Sequence, residues 1–136
     1  MTAKSISNVL ARRIWDSRGR PTVEVEITTE GGATGRAMAP AGASTGSGEA
    51  VDLRDGGKRL AGLDVELALG RIRDRIAPAI RGMNVTDQPA IDRRILELDG
   101  TANLAMLGGN ASIATSMAAL NCAAAASRVP LWRYLS

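Results

Sequence analysis

The first forty residues alternate between apolar and polar side chains with a period close to two. Between residues 22 and 29 the apolar positions are Val23, Val25 and Ile27, and the polar positions among them are Glu24, Glu26 and Thr28. Such alternation is typical of a β-strand with one buried face. Residues 6–15 are its predicted partner strand and residues 34–39 a third strand, with turns at residues 17–21 and 30–32. The pattern therefore predicts a three-stranded antiparallel meander.

After residue 64 the apolar spacing becomes that of a helix. Successive apolar residues lie four, three, four and four positions apart, at Val65, Leu69, Ile72, Ile76 and Ile80. This spacing puts all of them on one helical face. Because proline cannot donate a backbone hydrogen bond and its ring clashes with the preceding turn, Pro78 is expected to kink or end the helix near Ala77.

Two further helices are predicted. One runs from Asp87 to Leu98, with Thr86 as its N-cap, Pro89 in its first turn and a buried stripe of Ile91, Ile95 and Leu98. The other runs from about Asn110 to Arg128 and consists almost entirely of small residues around Ile113, Met117 and Leu120. Because small residues let another backbone approach closely, a place at the centre of the bundle is favoured over a cofactor role.

Together these elements predict one α+β domain over residues 1–136, a three-stranded antiparallel meander followed by a small helical bundle that packs on it. A chain of 136 residues suffices for one domain with a modest core and is too short for two. Near its end, Trp132 and Tyr134 are expected to anchor the terminal segment. Trp15 is expected to pack on the sheet or at an interface.

Between the third strand and the first helix lies a segment of small residues. Residues 39–48 include no bulky side chain, contain glycine at positions 42, 46 and 48, and carry Ser44 and Thr45 near the centre. Glycine permits positive φ values and a close approach of the backbone to a ligand. Composition alone favours an ordinary solvent-exposed turn, so a ligand-covering role depends on the context of the segment.

Three long motifs supply that context, because together they resemble the amino-terminal domain of the enolase family. Residues 16–25 are similar to the family's first hairpin, residues 42–46 to its mobile loop, and residues 49–55 to the segment after the loop. Shorter matches occur at residues 76–79, 98–101, 107–111 and 129–131, so the resemblance covers nearly the whole chain.

The resemblance also implies a function. The whole enzyme of this family, phosphopyruvate hydratase, is a glycolytic lyase that converts 2-phosphoglycerate to phosphoenolpyruvate with two magnesium ions. In the family a barrel domain follows the amino-terminal domain and holds the catalytic acid and base and the carboxylates of the first magnesium. The sequence ends at Ser136, about where the barrel would begin, so no catalytic residue is expected in this chain.

Two groups of residues match functional positions of the family. The loop that closes over substrate corresponds to Gly42, Ala43, Ser44, Thr45 and Gly46. Within it, Ser44 matches the serine whose oxygens bind the second magnesium when the barrel is present. Arg12 and Glu24 match charges that pair with the barrel of another subunit. An ordinary exposed strand charge, contributing about 0 to 1 kcal/mol, is an equally good interpretation of each.

The inventory of reactive side chains is small. The chain has no histidine and two lysines, Lys4 and Lys58, and its 14 acidic residues are scattered among arginines rather than grouped as metal ligands. The isolated chain is therefore expected to be inactive, with magnesium bound only in the assembled enzyme.

Charge and composition narrow the remaining classes of function. The net charge is +3, but two Trp and one Tyr are the only aromatic residues, so nucleic-acid binding is not expected. The single cysteine, Cys122, excludes an internal disulfide and is expected to be a buried thiol. The sequence shows no recognisable signal peptide or membrane-spanning run, so we expect a cytoplasmic location without membrane binding.

The expected partners are an enolase barrel domain or another subunit, and self-association is expected through the face that a barrel would cover. A second interpretation stays open at this point: a stand-alone, non-catalytic protein-binding or regulatory domain derived from enolase. Departures from the family pattern at Ala41, Gly48 and residues 62–65 also leave a divergent paralogue open.

Overall fold

The computed structural model describes residues 1–39 and 50–136. Its sheet consists of β1 (Ile6–Trp15), β2 (Pro21–Thr29) and β3 (Thr34–Met38), antiparallel in the order β1-β2-β3. The predicted meander is therefore confirmed, with β3 ending one residue earlier than expected. In the first turn, one carboxylate oxygen of Asp16 accepts hydrogen bonds from the backbone N–H groups of Arg18 and Arg20, each 2.9 Å long.

The register of the sheet separates an inner from an outer face. The inner face of β2 carries Val23, Val25 and Ile27, all fully buried. On the outer face Arg12 of β1 lies opposite Glu24 of β2, and Glu24 lies opposite Met38 of β3. The alternation in the sequence thus corresponds to one face in the core and one face without a covering layer among the described residues.

The first helical region runs without a break through three segments: α1 (Glu66–Arg71), a π-helical segment (Ile72–Ile76) and α2 (Ala77–Ile80). All five residues of the predicted apolar stripe, from Val65 to Ile80, are buried. Of the two predicted outcomes, a kink or an end near Ala77, the end is wrong, since the helix continues through Pro78 to Ile80 and only its type changes at Ala77. The wider π turn just before Pro78 relieves the clash between the proline ring and the carbonyl group of the preceding turn.

Helix α3 (Gln88–Asp99) begins one residue later than predicted and has Asp87, not Thr86, as its N-cap. The Asp87 carboxylate accepts a hydrogen bond from the backbone N–H of Ala90, whereas the N–H and hydroxyl of Thr86 both donate to the Asn84 side chain. Thr86 is thus already used by the preceding turn. Ile91 and Ile95 are buried as predicted.

Helix α4 (Gly109–Ala126) packs across the sheet, mainly against β2 and β3, and a short helix, α5 (Leu131–Tyr134), follows it. Its central position is confirmed, and so is the close approach that its small residues allow. Ile113 and Met117 are 46% and 41% exposed. The buried face consists instead of small residues: Ala111, Ala114, Thr115, Ala118, Ala119, Cys122 and Ala123.

The close approach of α4 to the sheet explains why small residues form its buried face. A Cβ atom added to Gly35 of β3 would lie 2.1 Å from the backbone nitrogen of Cys122 and 2.7 Å from the carbonyl oxygen of Ala118. Helix and strand backbones are therefore in direct contact, and large side chains of α4 are forced to the opposite face. The expected anchoring by Trp132 is also wrong, since Trp132 is 71% exposed, while Tyr134 packs against the core.

We expect Gly35→Ala to lower the free energy of unfolding by about 1 to 3 kcal/mol, because the added methyl group would have to push α4 away from β3. Denaturant unfolding measures the change. The matched control is Gly70→Ala in α1, where an added Cβ meets no atom within 4 Å, and which we expect to raise stability by about 0.5 to 1 kcal/mol. Equal stability of the Gly35→Ala variant and the wild type would contradict the close packing.

Candidate functional site

The predicted loop, with Gly42, Ala43, Ser44, Thr45 and Gly46, falls within residues 40–49, outside the described residues. The residues on either side of it are described, and both ends are firmly held. On the upstream side Ala39 is buried; its N–H donates to the Val23 carbonyl over 3.1 Å, and its carbonyl accepts from the Thr22 hydroxyl over 2.6 Å. Ala39 thus extends the sheet pairing one residue beyond β3.

On the downstream side, the start of α4 holds residues 51–53. The Val51 carbonyl accepts a hydrogen bond from the Gly109 N–H over 2.6 Å. The Asn110 side chain pairs with Leu53 in both directions, since its oxygen accepts from the Leu53 N–H and its nitrogen donates to the Leu53 carbonyl, each over 3.0 Å. This buried asparagine satisfies both backbone groups of Leu53 at once.

The two glycines before Asn110 make this contact sterically feasible. A Cβ at Gly108 would lie 2.6 Å from the Leu53 Cβ, and one at Gly109 would lie 2.9 Å from the Ala50 Cβ. Gly108 also has a φ of 94°, which favours glycine. In the sequence, residues 107–111 stood out only as a match to the family. An asparagine directly after two glycines marks a place where another backbone can approach closely, but the sequence does not show which segment that is.

A buried carboxylate fixes the next part of this irregular segment. The side chain of Asp64 is 1% exposed and accepts two hydrogen bonds from one guanidinium nitrogen of Arg13, over 2.9 and 3.1 Å, while Arg59 lies 3.4 Å away. The Val65 N–H donates to it over 2.8 Å. The Arg13 hydrogen bond, the Val65 hydrogen bond and the nearby positive charges lower the pKa of Asp64 despite its burial.

Two more charged residues complete the support. The Arg54 guanidinium donates to the carbonyl groups of Pro21, over 2.8 Å, and of Leu63. The Asp55 carboxylate accepts from the Glu66 and Leu67 N–H groups, over 3.1 and 2.8 Å, at the beginning of α1. A carboxylate at a helix N-terminus is favourable because it satisfies unpaired N–H groups. These roles were not predicted, since the partners lie far apart in the sequence.

Asp99 performs a similar task at the end of α3. Burial acts to raise the pKa of its carboxyl group, but hydrogen bonds from Thr101 and from the Leu107 N–H outweigh burial and lower it. Asp99 therefore holds the connection that leads from α3 back to the start of α4, and with it the Asn110 anchor.

Arg12 and Glu24, the predicted interface residues, contact each other on the outer face of the sheet. One nitrogen of Arg12 lies 2.6 Å from Glu24 and another lies 3.0 Å from Glu26, and these hydrogen bonds raise the pKa of Arg12. Leu10 and Met38 are exposed on the same face. Pairing with another subunit stays a prediction.

The other expected features have simpler outcomes. Within residues 1–39 and 50–136, no group of three or more His, Cys, Asp or Glu side chains could hold a metal ion. Cys122 is buried, as predicted, and burial raises the pKa of its thiol to about 11. In the same residues, no helix is long and apolar enough to cross a membrane.

Comparisons with known proteins match nearly the whole chain. Residues 6–135 match the family described as "Enolase, N-terminal domain". Two relatives named "Enolase", from Lactobacillus delbrueckii subsp. bulgaricus (strain ATCC BAA-365 / Lb-18) and Lactobacillus acidophilus (strain ATCC 700396 / NCK56 / N2 / NCFM), are 53% and 50% identical to the chain over 135 residues. These alignments cover 99% of the chain but 32% of each relative.

We expect the charge of Asp64 to make the stability of the domain pH-dependent. Its pKa is lower in the folded protein than the value of about 3.9 expected when unfolded. The ionised carboxylate therefore stabilises the fold above about pH 3.9, and this contribution is lost as the pH falls through the folded pKa. Unfolding free energies measured from about pH 7 to about pH 2 should converge for the wild type and Asp64→Asn at the acid end.

The matched control is Asp74→Asn, which removes an exposed carboxylate whose ion-pair partner among the described residues is its neighbour Arg73, 3.9 Å away. We expect its stability to follow the wild type across the whole pH range. If the Asp64→Asn and wild-type curves stay parallel down to the acid end, Asp64 does not have the role assigned to it.

Proposed function

The chain belongs to the enolase amino-terminal domain family, and we propose that it serves as the loop-bearing, subunit-contacting part of an enolase. The whole enzyme in this proposal converts 2-phosphoglycerate to phosphoenolpyruvate with magnesium. Residues 42–46 close over the substrate, and the catalytic acid and base come from a barrel domain. The chain itself positions the loop and the subunit contact, and it supplies no proton-transferring group.

The observation that carries the proposal is the anchoring of the described residues that flank residues 40–49. Ala39 is tied to β2 through Val23 and Thr22, while residues 51–53 are tied to α4 through Gly109 and Asn110. Anchored ends reduce the conformational freedom that a connecting segment must lose when it binds. This supports the proposal that residues 42–46 reach the same place on the barrel domain each time they close over the substrate.

The donor set limits what the chain does with magnesium. Magnesium requires near-octahedral oxygen coordination. The described residues contain no cluster of three or more His, Cys, Asp or Glu side chains that could hold a metal ion. They do not fit a magnesium site of their own. We therefore assign only a completing role to Ser44, whose carbonyl and hydroxyl oxygens would add ligands to the second magnesium when the barrel and the substrate are present.

For the subunit contact we propose the outer face of the sheet around Arg12 and Glu24. The Arg12 guanidinium bridges Glu24 and Glu26, so the three side chains form a prearranged charged group beside the exposed Leu10 and Met38. Arginine and methionine are enriched in protein interfaces, and an ordered ion pair contributes to the specificity of such a contact. A barrel of another subunit, or a second copy of this chain, is the partner that this surface would take.

We expect the isolated chain, with excess magnesium, to form no phosphoenolpyruvate from 2-phosphoglycerate, because it has no histidine and its described residues lack an acidic metal cluster. Absorbance of the product against a control without protein is the measurement. Turnover above that control would show that the chain carries its own acid and base and would overturn the division of labour proposed for the two domains.

Adding the separately expressed part of the L. delbrueckii relative that follows the aligned residues should restore some turnover. In this mixture we expect Ser44→Ala to reduce the restored rate at least about tenfold, because a magnesium ligand is lost. The matched control is Ser47→Ala, which removes a neighbouring hydroxyl outside residues 42–46 and should retain the rate within about twofold. Calorimetry should give the same affinity between the two parts for both variants.

The outcomes separate the two candidate functions. Loss of the restored rate in Ser44→Ala, with unchanged association, supports the enzyme role. Association of the wild type without any turnover would instead favour a non-catalytic protein-binding or regulatory domain derived from enolase. Equal rates for Ser44→Ala and Ser47→Ala would contradict the magnesium role of Ser44.

A further inference from the structure

A pocket of about 310 Å³ opens between the first residues of the chain, the turn from β2 to β3 and the end of α4. Most of its described lining consists of small residues, which leave the volume open: Ala3, Gly31, Gly32, Ala33, Ala125 and Ala126. The charged members of that lining are Lys4 and Arg128, and both are cations. The pocket shares no described lining residue with the proposed subunit contact around Arg12 and Glu24.

Backbone hydrogen bonds hold the first two walls in place. The Gly31 N–H donates to the Ala3 carbonyl over 2.8 Å, and the Thr29 hydroxyl accepts from the Ala33 N–H over 3.1 Å. A Cβ atom at Gly31 would lie 3.0 Å from the Ala3 Cβ and 3.0 Å from its carbonyl oxygen, so glycine permits this close approach. The pocket is therefore already formed by the fold, as ligand sites usually are.

The third wall is a helix end that carries an arginine where glycine is usual. The Arg128 N–H donates to the Ala125 carbonyl over 3.0 Å and the Val129 N–H to the Ala124 carbonyl over 3.2 Å, which is the pattern of a Schellman motif. Arg128 occupies the left-handed position of this motif, with a φ of 58°. A long side chain is disfavoured there, so helix termination alone would select glycine or asparagine.

Neither cation has a side-chain partner in the part of the chain that the structure describes. The Lys4 and Arg128 side chains are exposed and make no ion pair or hydrogen bond there. A basic side chain can bind the last carbonyl groups of a helix, but those of residues 123–125 already accept backbone N–H groups. No acidic residue belongs to the described lining, and Glu30, adjacent in sequence, is exposed outside it. Both charges are thus available to a ligand.

We propose that this pocket binds the dianionic phosphate group of a small soluble ester. Two cations attract a dianion more strongly than a monoanion, and a guanidinium group can donate two parallel hydrogen bonds to phosphate oxygens. Lys4 and Arg128 extend from different walls, so a phosphate group between them would contact both. A volume of about 310 Å³ is near the lower end for ligand pockets, which suits a body of a few carbon atoms.

Three probes with the same three-carbon body test this proposal: glycerol 3-phosphate, glycerate and glycerol. Each is titrated into the 136-residue chain at low salt and about pH 8, where the phosphate is dianionic, while NMR follows the amide chemical shifts. We expect a dissociation constant of about 1 to 10 mM for glycerol 3-phosphate, at least about fivefold weaker binding of glycerate, and no saturation with glycerol. The largest shifts should fall on Lys4, Gly31, Gly32 and Arg128.

Charge variants separate this site from the general positive charge of the chain. Lys4→Gln and Arg128→Asn each remove one charge and should each weaken glycerol 3-phosphate binding at least about threefold. Asparagine tolerates left-handed φ, so Arg128→Asn is compatible with the fold. The matched controls, Lys58→Gln and Arg93→Gln, remove exposed cations outside the lining and should leave the affinity within about 1.5-fold.

Two further variants test position without removing a charge. Ala125→Leu places a larger side chain at an exposed position of the lining and should weaken glycerol 3-phosphate binding at least about threefold. Arg128→Lys keeps the cation but loses the paired donors of the guanidinium group, so its affinity should lie between those of the wild type and Arg128→Asn.

Several results would overturn the proposal. One is binding of glycerate or glycerol as tight as that of glycerol 3-phosphate, or no shift up to about 50 mM ester. Another is an equal loss of affinity in the control variants and in Lys4→Gln and Arg128→Asn, which would indicate a diffuse charge effect. Unchanged affinity in Ala125→Leu would place the ester elsewhere. Co-sedimentation of the chain with vesicles that contain phosphatidic acid would assign the site to a lipid headgroup instead of a soluble ester.

Discussion

Backbone contact between α4 and β3 is the constraint on which the rest of this domain depends. At Gly35 a single methyl group would overlap the backbone of Cys122, and the facing side of α4 is built from alanine, threonine and cysteine. Atoms this close together gain dispersion energy in addition to the free energy of burying apolar surface. Small residues therefore stabilise this contact because they let the two backbones come close, although each buries little surface itself. The thiol of Cys122 is enclosed here and its hydrogen points to the Ala33 carbonyl, 3.5 Å away.

This contact also sets the position of everything at the beginning of α4. The residues that enter the helix, Gly108 to Asn110, lie against residues 50–53, which continue the chain after residues 40–49. Asp99 and Asp64 hold the two irregular connections on either side by accepting hydrogen bonds from backbone N–H groups. These segments contain little regular secondary structure, and their buried backbone N–H groups need hydrogen-bond partners. The two carboxylates supply such partners.

The outer face of the sheet has the opposite character. Arg12 and Glu24 form an ion pair that solvent partly reaches, with side-chain exposures of 37% and 20%. In an isolated domain such a pair contributes little to stability, because water screens it and two side chains lose freedom. In a covered interface the same pair would have fewer water contacts, so its effect on specificity would be larger. In the proposed subunit contact, this prearranged charged group would therefore contribute more to recognition than to folding.

Sequence periodicity alone determined the strands, their order and the buried stripe from Val65 to Ile80, because hydrophobic spacing is a local property of the chain. The motifs likewise identified the family before any contact was known. Tertiary structure decided the rest. Ile113 and Met117 point outward because β3 leaves no room for them. Asp64 and Asn110 are anchors because they contact Arg13 and Leu53, which lie 51 and 57 positions earlier in the chain. Contacts at such separations depend on how the elements pack, which no local pattern contains.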